Sequence, residues 1–229
     1  MQRRAESDVN GFKLISFQHV PIFVNKRGRT VEAEAEFEVP TWSQIYTMLV
    51  NQAEKIRRSG FQPDVIVGVT RGGLIPTRVL SDLLEIPNLA TVGVEFYVGV
   101  AETRSEPVLT QRVFADVAGK KALLVDDVAD TGKSLQLARE HVRQQGAAEV
   151  LIATVYCKPF SVIKPDYYEK ETRGWVVFPW DAKETVRKIV EKHRDVQAIK
   201  RETAKLVKAG LPKQLAEVFL KEVLEAEKC

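Results

Sequence analysis

Cysteine is scarce in this chain of 229 residues, which holds two. Cys157 sits in an apolar run and Cys229 ends the chain. One pair cannot build a disulfide framework, and no Cys-x-x-Cys or Cys/His cluster supplies zinc-site spacing. Cys157 therefore reads as a small buried apolar residue. The three histidines, His19, His141 and His193, are scattered, so none is assigned to a metal or a triad. Long apolar runs are also missing: uncharged stretches such as Trp175–Trp180 fall far short of the ~20 residues of a membrane helix. Met1–Asp8 lacks the apolar core of a secretory leader. No repeat or low-complexity tract occurs. The expectation is a soluble cytoplasmic protein with no membrane partner.

What is present looks globular. Apolar residues make up 45% and charged residues 28%, which excludes wholesale disorder. The net charge of +3 comes from the tail: residues 182–229 hold 12 basic and 8 acidic side chains, and residues 1–181 hold 22 and 23. A nucleic-acid footprint wants a clustered basic face with aromatic interleaving. Here the signs alternate, as in Lys183-Glu184 and Glu191-Lys192, the pattern of a solvated helix face. That weighs against nucleic acid as a partner.

Residues 1–10 are polar and read as irregular. Val20–Val24, Asn25–Gly28 and Thr30–Val39 read as a β-hairpin with one wet face. Pro40-Thr41 opens a helix whose Thr41 and Gln44 form a capping box, with Ile45, Leu49, Ala53 and Ile56 on one face and Gly60 at the end. Strands and helices then alternate: strand Asp64–Val69, helix Leu74–Leu84, strand Leu89–Tyr97, strand Lys121–Val125, helix Ser134–Gln145, strand Val150–Tyr156 and strand Trp175–Phe178. Residues 98–118 are polar and poorly periodic and read as a long loop or hood. Short apolar strands joined by helices predict an α/β fold with a parallel sheet covered on both faces. Residues 182–208 and 212–227 read as two amphipathic helices broken at Gly210-Leu211-Pro212.

The segment richest in chemistry is Leu123-Leu-Val-Asp126-Asp127-Val-Ala129-Asp130-Thr131-Gly132-Lys133-Ser134. A buried strand runs into two acids, a short loop and a helix start, whose open N–H groups and partial positive charge suit a phosphate. Ligands of open α/β sheets sit at such strand ends. Gly132-Lys133-Ser134 is not a nucleotide-triphosphate loop, because the glycine that motif needs five residues before its Gly-Lys is Asp127 here. Two acids beside a phosphate suit sugar hydroxyls or a Mg²⁺ ion. Phosphate, ribose diol and Mg²⁺ together describe phosphoribosyl pyrophosphate.

The segment resembles the phosphoribosyl-pyrophosphate motif of the type I phosphoribosyltransferase family. Val69-Thr70-Arg71-Gly72-Gly73 resembles that family's pyrophosphate loop. Lys158-Pro159 and Trp175-Val-Val-Phe-Pro-Trp-Asp181 resemble its xanthine–guanine (6-oxopurine) branch. The resemblance spans about residues 41–181. It implies an N-terminal arm and hairpin at 1–40, a core domain at 41–181 with a hood at 98–118, and a helical extension at 182–229.

The roles that follow are implied by the resemblance. Asp126 and Asp127 would hold the ribose hydroxyls, with Asp127 also touching Mg²⁺, and Ala129, Asp130, Thr131, Gly132, Lys133 and Ser134 would bind the 5′-phosphate. Thr70, Arg71 and Gly72 would receive the pyrophosphate. Asp130 would exchange the proton at purine N7 as the catalytic acid–base; read alone, it could equally cap the helix. Lys158 would bond the 6-oxo group, Trp175 would stack on the purine, and the Val176 carbonyl would meet a 2-amino group. Asp181 would help hold a second Mg²⁺ or the pyrophosphate, or cap the helix after it. The implied reaction joins phosphoribosyl pyrophosphate to xanthine, guanine or hypoxanthine in a homodimer or homotetramer. The rival reading is a non-catalytic phosphoribosyl-pyrophosphate sensor that binds nucleic acid.

Overall fold

The computed structural model describes residues 8–9, 12–17, 20–24, 30–32, 37–98, 105–193 and 195–226. Its elements run β1 (Asp8–Val9), β2 (Phe12–Phe17), β3 (Val20–Val24), β4 (Thr30–Glu32), β5 (Phe37–Glu38), α1 (Trp42–Arg58), β6 (Val65–Thr70), α2 (Leu74–Leu84) and β7 (Leu89–Val98). They continue with β8 (Ser105–Gln111), β9 (Lys121–Ala129), α3 (Lys133–Gln144), β10 (Glu149–Cys157), β11 (Tyr167–Glu171), β12 (Trp175–Val176), α4 (Ala182–Lys192), α5 (Val196–Ala209) and α6 (Lys213–Ala226). Two compact units result: residues 41–173, and residues 1–40 together with 174–229.

The 41–173 unit is built on a six-stranded sheet in the order β11-β10-β9-β6-β7-β8. All neighbours are parallel except β7 and β8. Strand side chains alternate between faces. Val65, Val67, Ala122, Leu124, Val150 and Ile152 join Leu135, Ala138 and Val142 of α3 in one buried cluster. The other face takes α2, where Gly68 leaves room for Thr77: a Cβ there would lie 2.6 Å from Thr77 Oγ1. Helix α1 buries Ile45, Leu49, Ala53 and Ile56 as its periodicity predicts. Its Thr41–Gln44 capping box forms, the Gln44 N–H donating to Thr41 Oγ1 at 3.2 Å and the Thr41 N–H to Gln44 Oε1 at 2.8 Å.

The structure differs from the sequence reading in the identity of a sheet strand, in the 98–118 segment, in the tail and at the N-terminus. The strand that completes the sheet beside β10 is β11, and the apolar segment expected there lies elsewhere: Trp175–Val176 pairs parallel with Phe37–Glu38 in the other unit. Strand β11 is the edge strand Tyr167-Tyr-Glu-Lys-Glu171, and solvent on one side tolerates its charges. The 98–118 segment is not all loop, since Ser105–Gln111 is a strand antiparallel to β7; residues 99–104 of the expected hood lie outside the described residues. Among the described residues the tail holds three helices, because Asp195 starts a new one, its carboxylate accepting from the Gln197 and Ala198 N–H groups. At the N-terminus β3 and β4 form the expected hairpin, whose turn at 25–28 is outside the described residues. Strand β2 adds to that sheet, and β1 carries it into residues 1–10, the segment read as irregular.

The second unit's helices bury Val186, Ile189, Val190, Ile199, Leu206, Ala216 and Val223 in a core with Val177 and Ala182. The expected break at Gly210-Leu211-Pro212 is present, with Gly210 at φ +128°.

Candidate active site

Three neighbouring parallel strands, β6, β9 and β10, end side by side, and each hands the chain to a short loop. The loop after β6 is Arg71–Gly73, and the Thr70–Arg71 peptide is cis. Its glycines have no spare room. A Cβ on Gly72 would lie 2.5–2.6 Å from the three carboxyl atoms of Asp127, and one on Gly73 would strike the Val125 and Val69 carbonyls. The loop after β6 is thus pressed directly against the Asp127 carboxyl group.

Strand β9 is longer than expected. Its ladder with β10 continues through Asp126↔Thr154, Tyr156↔Val128 and Cys157↔Ala129, so both acids stand on paired backbone rather than on a loose loop. The Asp127 N–H donates to Asp126 Oδ1 at 2.9 Å. Asp127 is buried and Asp126 half-buried. Burial first, and the neighbouring Asp127 charge second, push the Asp126 carboxyl well above the usual carboxylate range. The Asp127 and Gly73 backbone groups pull weakly the other way.

The loop after β9 turns at Gly132, the residue before α3, where φ is +79°. A side chain there would be strained, and its Cβ would collide with Ser161 Oγ and come within 2.8 Å of Ile163 Cγ2. Helix α3 has no side-chain cap. The Thr131 hydroxyl, one residue before Gly132, accepts from the Lys133 N–H at 3.4 Å, and a helix start of this kind suits a phosphate. Gly132, not Asp130, occupies the cap position, so the capping alternative for Asp130 does not hold.

The loop after β10 is tied to the one after β9 by backbone bonds. The Lys158 N–H donates to the Ala129 carbonyl at 2.9 Å and the Val162 N–H to the Thr131 carbonyl at 2.9 Å. Inside this loop the Ser161 N–H donates to the Lys158 carbonyl at 3.1 Å and the Ser161 hydroxyl to the Ile163 carbonyl at 2.9 Å. Lys158 is buried, while Phe160 and Val162 are exposed. Thr70, Arg71, Gly72, Asp126, Asp127, Ala129–Ser134 and Lys158 thus stand at the ends of three adjacent strands of one unit, on the last strand residues, the loops that follow and the start of α3. Ser161 and Ile163 were not singled out in the sequence, because a brace made largely of backbone bonds leaves no residue signature.

Trp175, Val176 and Asp181 belong to the other unit. Val176 is buried, and the Lys188 ammonium lies over the Trp175 ring, 5.8 Å from its centroid. Asp181 precedes α4; its carbonyl accepts from the Thr185 N–H at 2.9 Å, while its carboxylate makes no capping bond.

A dedicated metal cage is absent among the described residues, where no three His, Cys, Asp or Glu gather. Mg²⁺ commonly takes one or two carboxylates and fills the rest of its shell with substrate oxygens and water. Two crowded acids, with Asp126 pushed toward its protonated form by burial first and by the Asp127 charge second, fit that donor set, since a divalent cation offsets their repulsion.

The sequence profile described as "Phosphoribosyl transferase domain" matches residues 41–186. A protein named xanthine-guanine phosphoribosyltransferase from Gluconobacter oxydans is 31% identical over 143 residues, which cover 62% of this chain and 82% of that protein. One of the same name from Cereibacter sphaeroides is 32% identical over 148 residues, covering 62% and 84%. The crystal structure of a purine phosphoribosyltransferase from Pyrococcus horikoshii superposes with a TM-score of 0.58 at 41% identity, over 63% of this chain and 93% of that one. With its profile matched over more than half its length and its three loops at the ends of β6, β9 and β10, the chain belongs to the phosphoribosyl transferase domain family.

Proposed function

We propose that this protein transfers the 5-phosphoribosyl group of phosphoribosyl pyrophosphate to a 6-oxopurine (xanthine, guanine or hypoxanthine) and releases pyrophosphate. The observation that carries the reading is the packing of Gly72 on the Asp127 carboxylate, next to a loop whose Lys158 is bonded to Ala129. In this reading the three strand ends would supply a leaving-group loop, a ribose-binding acid pair, a phosphate seat and a buried cation. The names and identities of the relatives point the same way.

In the reaction, a bond forms between a purine ring nitrogen and ribose C1. The C1–oxygen bond to pyrophosphate breaks, and its electron pair leaves with the pyrophosphate. The proton lost by the base passes through the N7 edge to the Asp130 carboxylate. Asp126 and Asp127 hold the ribose hydroxyls and set C1 in line. The first turn of α3, with Thr131 and Ser134, fixes the 5′-phosphate. Arg71 and the backbone of Thr70 and Gly72 gather the charge that develops on the leaving group. Lys158 donates to the 6-oxo oxygen and rejects a 6-amino group, itself a donor. Bound Mg²⁺, held by Asp127 with substrate oxygens, would neutralise pyrophosphate charge. Trp175 and the Val176 carbonyl as purine contacts, Asp181 as a further Mg²⁺ or pyrophosphate contact, a cytoplasmic setting and a homodimer or homotetramer complete the reading.

The test is pyrophosphate release with Mg²⁺ and, separately, xanthine, guanine, hypoxanthine, adenine and orotate, on the native chain and on Asp130→Asn. Turnover of 6-oxopurines, at least ~100-fold slower in the variant, is expected, as for loss of a general acid–base. Turnover of adenine alone would overturn the roles of Asp130 and Lys158. Silence with every base, alongside tight phosphoribosyl-pyrophosphate binding, would favour the sensor.

A further inference from the structure

The outer flank of α3 borders a cleft of about 630 Å³, which shares only Lys133 with the residues of the proposed reaction. Its walls are α3 from Lys133 to Arg143, Glu106 and Pro107 of β8, and Val162 and Ile163. Cleft volumes of about 300–1,000 Å³ are those of small-molecule sites. The charges within it are unevenly partnered. Lys133 is paired with Glu106 at 3.0 Å, and the Glu140 carboxylate accepts from Gln144 at 3.1 Å. Arg139 and Arg143, one helical turn apart on the same flank, have no ion pair among the described residues, and Arg139 Nε is buried without a hydrogen-bond acceptor. A buried guanidinium N–H without an acceptor is costly, and a planar guanidinium pairs best with the paired oxygens of a phosphate. Beside the two arginines, Leu137, Pro107, Val162 and Ile163 supply an apolar wall.

We propose that this cleft is a second ligand site, for a nucleoside diphosphate, whose phosphates lie on Arg139 and Arg143 and whose base lies on Leu137, Ile163 and Pro107. The apolar wall favours a nucleotide over a bare inorganic anion. The cleft also touches the phosphate loop after β9 from outside, since Lys133 starts α3 and Ile163 abuts Gly132. Occupancy would therefore shift the affinity for phosphoribosyl pyrophosphate; this coupling alone rests on the function proposed above.

The test is calorimetric titration of the full chain with ADP, repeated with inorganic pyrophosphate, and repeated again with phosphoribosyl pyrophosphate and Mg²⁺ saturating. One ADP per chain is expected, retained under saturation, with pyrophosphate binding at least tenfold more weakly. The double variant Arg139→Gln, Arg143→Gln should weaken ADP at least tenfold and leave turnover without ADP within twofold. Glu140→Gln removes an opposing carboxylate and should tighten ADP two- to fivefold, a gain that a misfolded variant would not show. No ADP binding, equal binding by the double variant, or pyrophosphate binding as tightly as ADP would each overturn the site. ADP binding that leaves the KM for phosphoribosyl pyrophosphate unchanged would overturn the coupling. Direct binding does not depend on turnover, so a failed transferase reaction leaves the site's test intact.

Discussion

The loops after β6 and β9 both rely on glycine beside the acid pair, for different physical reasons. Gly72 has an ordinary backbone but no room, its Cα facing the Asp127 carboxyl group. Gly132 lacks both room and an ordinary backbone: its φ is +79°, and Ser161 and Ile163 crowd it. One glycine protects the position of the Asp127 carboxylate, and the other also protects the fold around it. Damage to the first loop stays within the site; damage to the second also costs stability.

The sharpest way to break that comparison is Gly72→Ala. The new methyl must displace the Asp127 carboxyl, so kcat/KM for phosphoribosyl pyrophosphate should fall at least ~100-fold, a loss of about 2.7 kcal/mol in transition-state binding. The melting temperature should move by less than about 4 °C. Steady-state kinetics and a thermal melt decide it: an unchanged rate, or a collapse in stability as large as that of the Gly132 variant, would erase the distinction.

Gly132→Ala comes next. Left-handed backbone on a residue with a Cβ, together with the collision, should cost about 1–3 kcal/mol of stability and weaken phosphoribosyl-pyrophosphate binding about tenfold. Ser161→Ala, nearly silent by itself, should restore part of that stability in the double variant, because Ser161 Oγ is the nearest obstacle. Strict additivity in a denaturant double-mutant cycle would show that backbone strain alone constrains Gly132.

The smallest effect lies on α3 away from the loops. Buried His141 accepts the Val113 N–H at Nε2 (3.2 Å), and burial first, then the Arg112 charge, push its imidazole below the ordinary value. A group whose folded value is depressed stabilises the fold while neutral. That contribution is complete above the unfolded value of about 6.5 and is lost as pH falls from there through the folded value. Urea midpoints should therefore fall between pH 7.5 and 5, and fall less in His141→Gln; parallel profiles would remove His141 from the account.

Much of the 41–173 unit was legible because its signals are local. Val65–Val69, Leu123–Val125 and Val150–Tyr156 are apolar enough to be central strands, and the Thr41–Gln44 capping box marks a helix start wherever it lands. The phosphate-loop acids, too, occupy one contiguous segment. What escaped depends on the rest of the molecule. Edge position lets Tyr167-Tyr-Glu-Lys-Glu be a strand despite its charge. Trp175-Val-Val-Phe is apolar because Val176, Val177 and Phe178 are buried in the second unit, not because it belongs to the large sheet. Asp195 is a capping signal hidden in a charged run, and the start of α5 rests on it.

The brace between Lys158–Val162 and Ala129–Thr131 has a consequence for how such a protein can diversify. It is fastened largely through main-chain groups, so side chains on it can be exchanged without unfastening it. Phe160 and Val162 are 51% and 65% exposed and sit beside the buried Lys158. Around fixed glycines and acids, those two positions form a variable rim. Single substitutions at those two positions leave the brace fastened, while a side chain at Gly72 meets Asp127 and one at Gly132 meets Ser161 and Ile163.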